Sequence, residues 1–282
     1  MGKKVIFLDV DGTLTLKTGE VTKRVKDAIA KTRRNGHYVF LCTGRNKAGV
    51  HSLMPIGFDG MICSAGGYIE INGQKIYESC LSQEDLLLAR HVFDKNHILY
   101  NLEATHMTFQ DEEMNKEFVR HHINPHSQNM NSELIRLINE QKDRFNIHPL
   151  EEYQNNPQPI QKLCFMCDDY KKLEEPKKVL SQKFNFIIHE IFSQDVINGE
   201  IIVKGTNKGR AVEKVVDYLG LSMDDTIGFG DSMNDYEMIK VCQHAVVMEN
   251  GVEELKQYAS TICESVDEDG IYHELKRLKL CE

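Results

Sequence analysis

The stretch Val5-Ile6-Phe7-Leu8-Asp9-Val10-Asp11-Gly12-Thr13 decides how this chain is read. Four apolar residues in succession suit a central strand of a parallel sheet, which is covered on both faces and shows no polar alternation. Asp9 and Asp11 are two apart, so in extended backbone they project to one side. Gly12 then permits a sharp turn. In open α/β sheets ligands bind just beyond the carboxyl ends of the strands, which is where these acids fall. Two acids this close repel, so a cation between them or a shared proton is expected. A lone Asp-x-Asp is equally a polar strand end that starts a turn, and the rest of the chain must decide.

Outward from this stretch, Val21, Val25, Ala28 and Ile29 recur at helical spacing, and Asn35-Gly36 closes the helix. Tyr38 to Cys42 is a second apolar run that stops at Thr43-Gly44-Arg45. A short helical stretch over 46–53 and a strand over 60–63 follow, the strand leaving through Ser64-Ala65-Gly66-Gly67. This alternation predicts a parallel sheet with right-handed crossovers. Asn72-Gly73, between alternating residues of 68–77, predicts a two-residue hairpin.

From 81 to 189 the character changes, with most of the histidines and prolines and many Asn, Gln and Glu. Strands are predicted over 98–102, 106–109, 163–167 and 184–188. Helices are predicted over 83–94, 112–120, 132–144 and 173–182, with a loop at 154–160. An insert of this length suffices for a separate α/β domain. His121, His122 and His126 have no acid or cysteine at ligand spacing and read as solvated surface. Beyond 190 the first pattern resumes. Asn198-Gly199 reads as a hairpin turn, and Lys208-Gly209 opens a helix that Gly220 stops. A strand over 226–229 leads into Gly230-Asp231-Ser232-Met233-Asn234-Asp235. The expected organisation is a core of 1–80 and 190–282 around an inserted domain of 81–189.

With 282 residues, a formal charge of −9 and 41% hydrophobic residues, the chain can bury a substantial core. It does not suit nucleic-acid binding by bulk electrostatics. No apolar run is long enough to span a bilayer, which excludes a membrane partner of that kind. The eight cysteines are scattered, and Cys164-Phe165-Met166-Cys167 has no second pair to complete a zinc site. They read as reduced core thiols in a cytoplasmic protein.

Three apolar strands thus end in polar exits, Asp9-x-Asp11-Gly12-Thr13, Thr43-Gly44-Arg45 and Gly230-Asp231-x-x-Asn234-Asp235, and Lys208 joins them if the sheet is continuous. Together they offer a nucleophile, a proton carrier, hydroxyl and backbone donors, a cation and a carboxylate set for magnesium. Magnesium needs only one or two protein carboxylates besides water and substrate phosphate. A carboxylate can attack phosphorus to form an acyl phosphate, and metal, lysine and backbone donors can stabilise the group in transfer.

In these motifs, in this order and at these strand ends, the sequence resembles the haloacid dehalogenase-like (HAD) phosphohydrolases. It looks most like their Cof-type branch, in which a large α/β cap is inserted between the second and third motifs. The resemblance implies a Rossmann-like core, an inserted cap and Mg²⁺ as cofactor. It makes Asp9 the nucleophile that becomes aspartyl-phosphate. Asp11 would protonate the leaving group, later activate water, and offer its backbone carbonyl to Mg²⁺. Thr43 and Lys208 would hold phosphoryl oxygens, and Asn234 would bond the phosphate, with Gly12, Gly44 and Arg45 completing that set. Asp231 would ligate Mg²⁺ with Asp9, and Asp235 would act through water or orient Lys208. Arg45 would face the substrate or support its loop. Many Cof-type members carry Asn-Gly at the third strand exit, where this chain has Ala65-Gly66-Gly67.

The expected function is Mg²⁺-dependent hydrolysis of small phosphorylated metabolites, sugar phosphates or phosphorylated cofactors, with no obligate protein partner. A phosphotransferase or phosphomutase would share every core residue. A receiver-like phospho-acceptor module, the rival of a different class, expects a compact domain with its acceptor on a later strand.

Overall fold

The computed structural model describes residues 2–114, 116, 145–189 and 196–282. The chain divides into two units, one of Met1–Arg45, Val50–Glu78 and Thr206–Glu282, the other of Asn46–Gly49 and Ser79–Gly205.

The first unit is built on β1 (Val5–Leu8), β2 (Tyr38–Cys42), β3 (Gly60–Cys63), β4 (Tyr68–Ile71) and β5 (Gln74–Glu78). The second unit supplies β6 (Leu99–Ala104), β7 (Thr108–Gln110), β8 (Ile147–Pro149), β9 (Ile160–Cys167), β10 (Phe184–Ile188) and β11 (Ile197–Val203). The first unit resumes with β12 (Thr226–Gly230), β13 (His244–Met248) and β14 (Thr261–Cys263). Its sheet runs β14-β13-β12-β1-β2-β3-β4-β5. The pairings from β14 to β3 are parallel, and β4 and β5 extend the sheet antiparallel. The chain winds outward from β1 in both directions, so the β1–β12 boundary is a topological switch point.

The unbroken apolar run of β1 follows from burial on both sides. Ile6 and Leu8 pack with Val25, Ile29, Ile271 and Leu275 of the helices Lys23–Arg34 and Gly270–Arg277. Val5 and Phe7 face Val212, Val215 and Val216 of the helix Lys208–Leu219. Asn207 caps that helix by accepting from the Arg210 amide at 2.8 Å. Gly220, with φ 65°, ends it in the left-handed conformation. The Asn72-Gly73 hairpin forms as expected between β4 and β5.

The second unit holds a six-stranded sheet, β10-β11-β9-β6-β7-β8, antiparallel except between β7 and β8. Leu102, Leu163, Phe165 and Ile201 lie in one core with Leu86, Ala89 and Phe93 of the helix Gln83–Lys95. Phe165 packs between the rings of Phe93 and Phe186, at 5.4 and 5.0 Å. Burying such a ring is worth about 1.5–3 kcal/mol.

Two expectations change here. The stretch around Asn198-Gly199 is not a hairpin but the interior of one strand, β11. A Cβ on Gly199 would lie 2.2 Å from the Ile187 carbonyl oxygen and 2.4 Å from the Phe165 ring. The glycine therefore serves close packing rather than a turn. Because β11 pairs with β9 and β10, the return to the first unit falls at Thr206 rather than at 190. The predicted helix over 132–144, residues 115 and 117–120 of that over 112–120, and His121, His122 and His126 lie outside the described residues.

Candidate active site

The exits of β1 and β12 meet in the first unit. Leu8 pairs with Phe229, and the Asp9 amide continues the ladder to the Phe229 carbonyl at 3.0 Å. This register sets Asp9 beside the chain that turns through Asp231. The turn at Gly12 has φ 83°, and a Cβ there would lie 2.4 Å from Asp231 Oδ2. Glycine at 12 is thus required twice, by its backbone angle and by the approach of a carboxylate. Thr13 Oγ1 donates to Asp231 Oδ1 at 3.0 Å, and Asn250 Nδ2 donates to the Gly12 carbonyl at 2.8 Å.

Lys208, fully buried at the start of its helix, places Nζ 2.6 Å from Asp9 Oδ1, 2.6 Å from Asp235 Oδ1 and 3.1 Å from Asn234 Oδ1. Asp235 Oδ2 accepts from the amides of Asp231 and Ser232 at 3.0 and 3.3 Å. Both Asp235 oxygens are therefore engaged in holding Lys208 and the Asp231 turn. Carboxylate oxygens of Asp9, Asp231 and Asp235 lie within 4.8 Å of one another.

The electrostatics follow from burial and from excess negative charge. Burial pushes the Asp9 carboxyl well above the usual range, the Asp235 charge adds to this, and Lys208 only partly opposes it. Burial and Asp235 likewise raise Asp231 to about 7. Burial alone would push the Lys208 ammonium down, but Asp235 and Asp9 outweigh it and hold its pKa above the ordinary value. Three carboxylates share one ammonium, which leaves a deficit of positive charge amid oxygen donors. Among the described residues, no hydrogen bond engages Oδ2 of Asp9 or of Asp231. Such a donor set fits a hard divalent cation.

Thr43 is buried at the exit of β2, where its hydroxyl accepts from the Arg45 amide at 3.2 Å. At the third exit, Ser64, Ala65 and Gly66 all adopt positive φ. A Cβ on Gly66 would lie 2.3 Å from the Asn207 carbonyl, so this turn packs directly on the residue that caps the Lys208 helix. Asp11 stands apart from the carboxylate cluster. Its side chain is 63% exposed and pairs with Arg45 through Nε at 2.8 Å and through a second, close contact from Nη2. The structure therefore brings Asp9, Lys208, Asp231, Asn234 and Asp235 into one cluster and sets Asp11 with Arg45 beside it. Gly44 has open space where a side chain would be. Thr13 and Asn250 were not singled out from sequence. Thr13 is at least in the first motif, whereas Asn250-Gly251 reads only as a turn after a strand.

A parallel sheet whose switch point carries a lysine-bridged aspartate cluster defines a class. Residues 6–275 match the family of haloacid dehalogenase-like hydrolases, and the chain belongs to that family. It is 27% identical over 289 residues to the 5-amino-6-(5-phospho-D-ribitylamino)uracil phosphatase YwtE of Bacillus subtilis, covering 98% of each chain. It is 22% identical to the phosphatase YwpJ of Bacillus subtilis, over 98% of this chain and 99% of that one. The solved structure of a haloacid dehalogenase-like hydrolase from B. subtilis superposes with a TM-score of 0.81 at 20% identity, covering 98% of this chain and 99% of the other. The Rossmann-like α/β core with an inserted α/β unit is thus a fold this chain shares with solved members of its family.

Proposed function

We propose that this chain is a Mg²⁺-dependent phosphatase that hydrolyses small phosphate monoesters through an aspartyl-phosphate on Asp9. The enzyme class follows from the family and from relatives named as phosphatases. The observation that carries the mechanism is the buried Asp9 held by Lys208, beside Asp231 and Asp235. Mg²⁺, held by Asp9, Asp231 and the Asp11 backbone carbonyl, would supply positive charge to phosphoryl oxygens and lower the repulsion that an anionic nucleophile meets.

The protein's own groups do the rest. Lys208 fixes the Asp9 carboxylate and, with Thr43 and Asn234, binds phosphoryl oxygens. An Asp9 oxygen attacks phosphorus, the ester P–O bond breaks, and Asp11 gives its proton to the departing alkoxide. Asp11 then takes a proton from water as that water attacks phosphorus, which frees Asp9 and releases inorganic phosphate. Asp235 orients Lys208 and the Asp231 turn. Gly12 keeps room for Asp231, and Gly44 leaves the second exit open to the phosphate.

We assign the choice of leaving group to the inserted unit, which would act as the cap. A sugar phosphate or phosphorylated cofactor fits the relative at 27% identity, itself named for a phosphorylated ribitylaminouracil. No helix among the described residues is long and apolar enough to cross a membrane, in keeping with action on soluble metabolites in the cytoplasm.

The test is phosphate release from a panel of small phosphate esters, with Mg²⁺ and with EDTA, for wild type and Asp9→Asn. Release that needs both Mg²⁺ and Asp9 is expected. Release that survives in Asp9→Asn would remove Asp9 as nucleophile, and no release from any ester would move the assignment to a phosphotransferase with another acceptor.

A further inference from the structure

The geometry points to Arg45 as a positioning residue that holds the carboxylate of Asp11 in its working direction, rather than as a ligand of the phosphoryl group. This inference rests on the phosphatase reading above. Three observations carry it. First, Nε and Nη2 of Arg45 each donate to a different oxygen of Asp11, so the planar guanidinium fixes the plane of the carboxylate as well as its position. Second, the two partners differ in freedom. The Asp11 side chain is 63% exposed and Arg45 only 12%. An exposed aspartate has several rotamers open to it, and here the packed arginine selects one. Third, Arg45 is anchored independently of Asp11. Its amide donates to Thr43 Oγ1 at 3.2 Å, and its carbonyl accepts from the Ser64 amide at 2.8 Å. The second and third strand exits thus set the guanidinium, and the guanidinium sets Asp11.

The chemistry gives this arrangement a purpose. Asp9 is fixed by a buried lysine at 2.6 Å. Asp11, which must meet the leaving oxygen and later a water, has no buried partner of that kind. General acid–base catalysis depends on placement, and a misplacement of about 1 Å costs about 10²-fold. Without Arg45 an exposed Asp11 would spend most of its time in other rotamers.

The experiment compares kcat/KM on two esters, the alkyl phosphate hydrolysed fastest in the panel above and p-nitrophenyl phosphate. kcat/KM reports the first irreversible step, transfer to Asp9. An alkoxide needs a proton to leave, whereas p-nitrophenolate scarcely does. Arg45→Ala should lower kcat/KM on the alkyl ester by about 10–100-fold and on the aryl ester by far less. Most of the loss should fall on kcat rather than KM. Arg45→Lys, with one donor head in place of the fork, should recover part of it. In an Asp11→Asn background Arg45→Ala should add almost nothing, because both changes remove the same function. Competitive inhibition by inorganic phosphate should be unchanged in Arg45→Ala.

Equal losses on both esters with weakened inhibition by phosphate would overturn the inference and make Arg45 a phosphate ligand. Additive losses in the double variant would overturn it as well. Thermal melts of each variant separate a folding defect from either result, and if Arg45→Ala does not fold, Arg45→Lys against Asp11→Asn decides alone. Wild type without turnover dependent on Mg²⁺ and Asp9 would instead reject the phosphatase reading itself.

Discussion

Among the described residues, each unit buries one lysine between two carboxylates. In the first unit Lys208 lies 2.6 Å from both Asp9 and Asp235. In the second, Lys162 lies 2.7 Å from Glu200 and 3.6 Å from Glu103. In both, burial would lower the lysine pKa and neighbouring groups raise it further. Their places on the sheet separate them. Glu103, Lys162 and Glu200 lie within the paired ladder of three adjacent strands, β6, β9 and β11, with Cys164 Sγ against Glu103 at 3.2 Å. Ladder pairing closes that ground on both sides. Asp9 and Asp231 stand where β1 and β12 have just ended and Asp235 in the turn beyond, three carboxylates around one lysine against two in the second unit. A buried ion pair within a sheet holds strands together. The same pair at strand exits, with a third carboxylate alongside, is where the proposed cation and substrate would bind. Position relative to the strand end, rather than residue type, makes the difference.

This contrast can be broken by experiment. The largest effect expected is on turnover: Asp9→Asn should lower kcat by more than about 10⁴-fold, as loss of a nucleophile does, with its far-ultraviolet circular dichroism unchanged. In the second unit the corresponding change should act on stability. Lys162→Met leaves two buried carboxylates without their cation and should cost about 3–5 kcal/mol in urea denaturation. Adding Glu200→Gln should restore part of that. If Lys162→Met instead abolishes turnover at full stability, the two clusters are alike in kind and the contrast fails.

The smallest effect sharpens the electrostatic side. Asp231 is raised to about 7 in the folded chain, so folding retains a proton that the unfolded chain releases near the ordinary carboxylate pKa. That contribution is complete below the unfolded value and is lost as pH rises through about 7. In EDTA the melting temperature should therefore decline from about pH 5 to about pH 7.5, and less so in Asp231→Asn. Mg²⁺ at about 100 times its dissociation constant should add about 2.7 kcal/mol, with more gained at the upper pH, where the carboxylates are ionised. A stabilisation independent of pH would contradict a cation held by these acids.

Much of the first unit could be read in the sequence because its signals are local. An apolar run, then acids, then glycine marks a strand exit without reference to any other part of the chain. The helix that Lys208 opens and Gly220 closes carries its own start and stop signals. The same local logic misled at Asn198-Gly199, where a turn dipeptide sits inside a strand. There the deciding contacts, with Ile187 and Phe165, come from neighbouring strands. The Glu103–Lys162–Glu200 cluster gave no signal for a related reason, since its members are far apart in sequence and meet only through cross-strand register.

By itself, then, the sequence determined the α/β core, the existence of an insert and the family, and it singled out the acids and the lysine that the fold gathers at the strand exits, because each is encoded in a short window. Only the tertiary structure decided that Asp235 spends both oxygens on Lys208 and the Asp231 turn. The same is true of Asp11, which stands exposed in the grip of Arg45, and of the insert's last strand, which reaches to Val203. These are outcomes of pairing between segments distant along the chain, where register and close packing, rather than local propensity, fix which atoms meet.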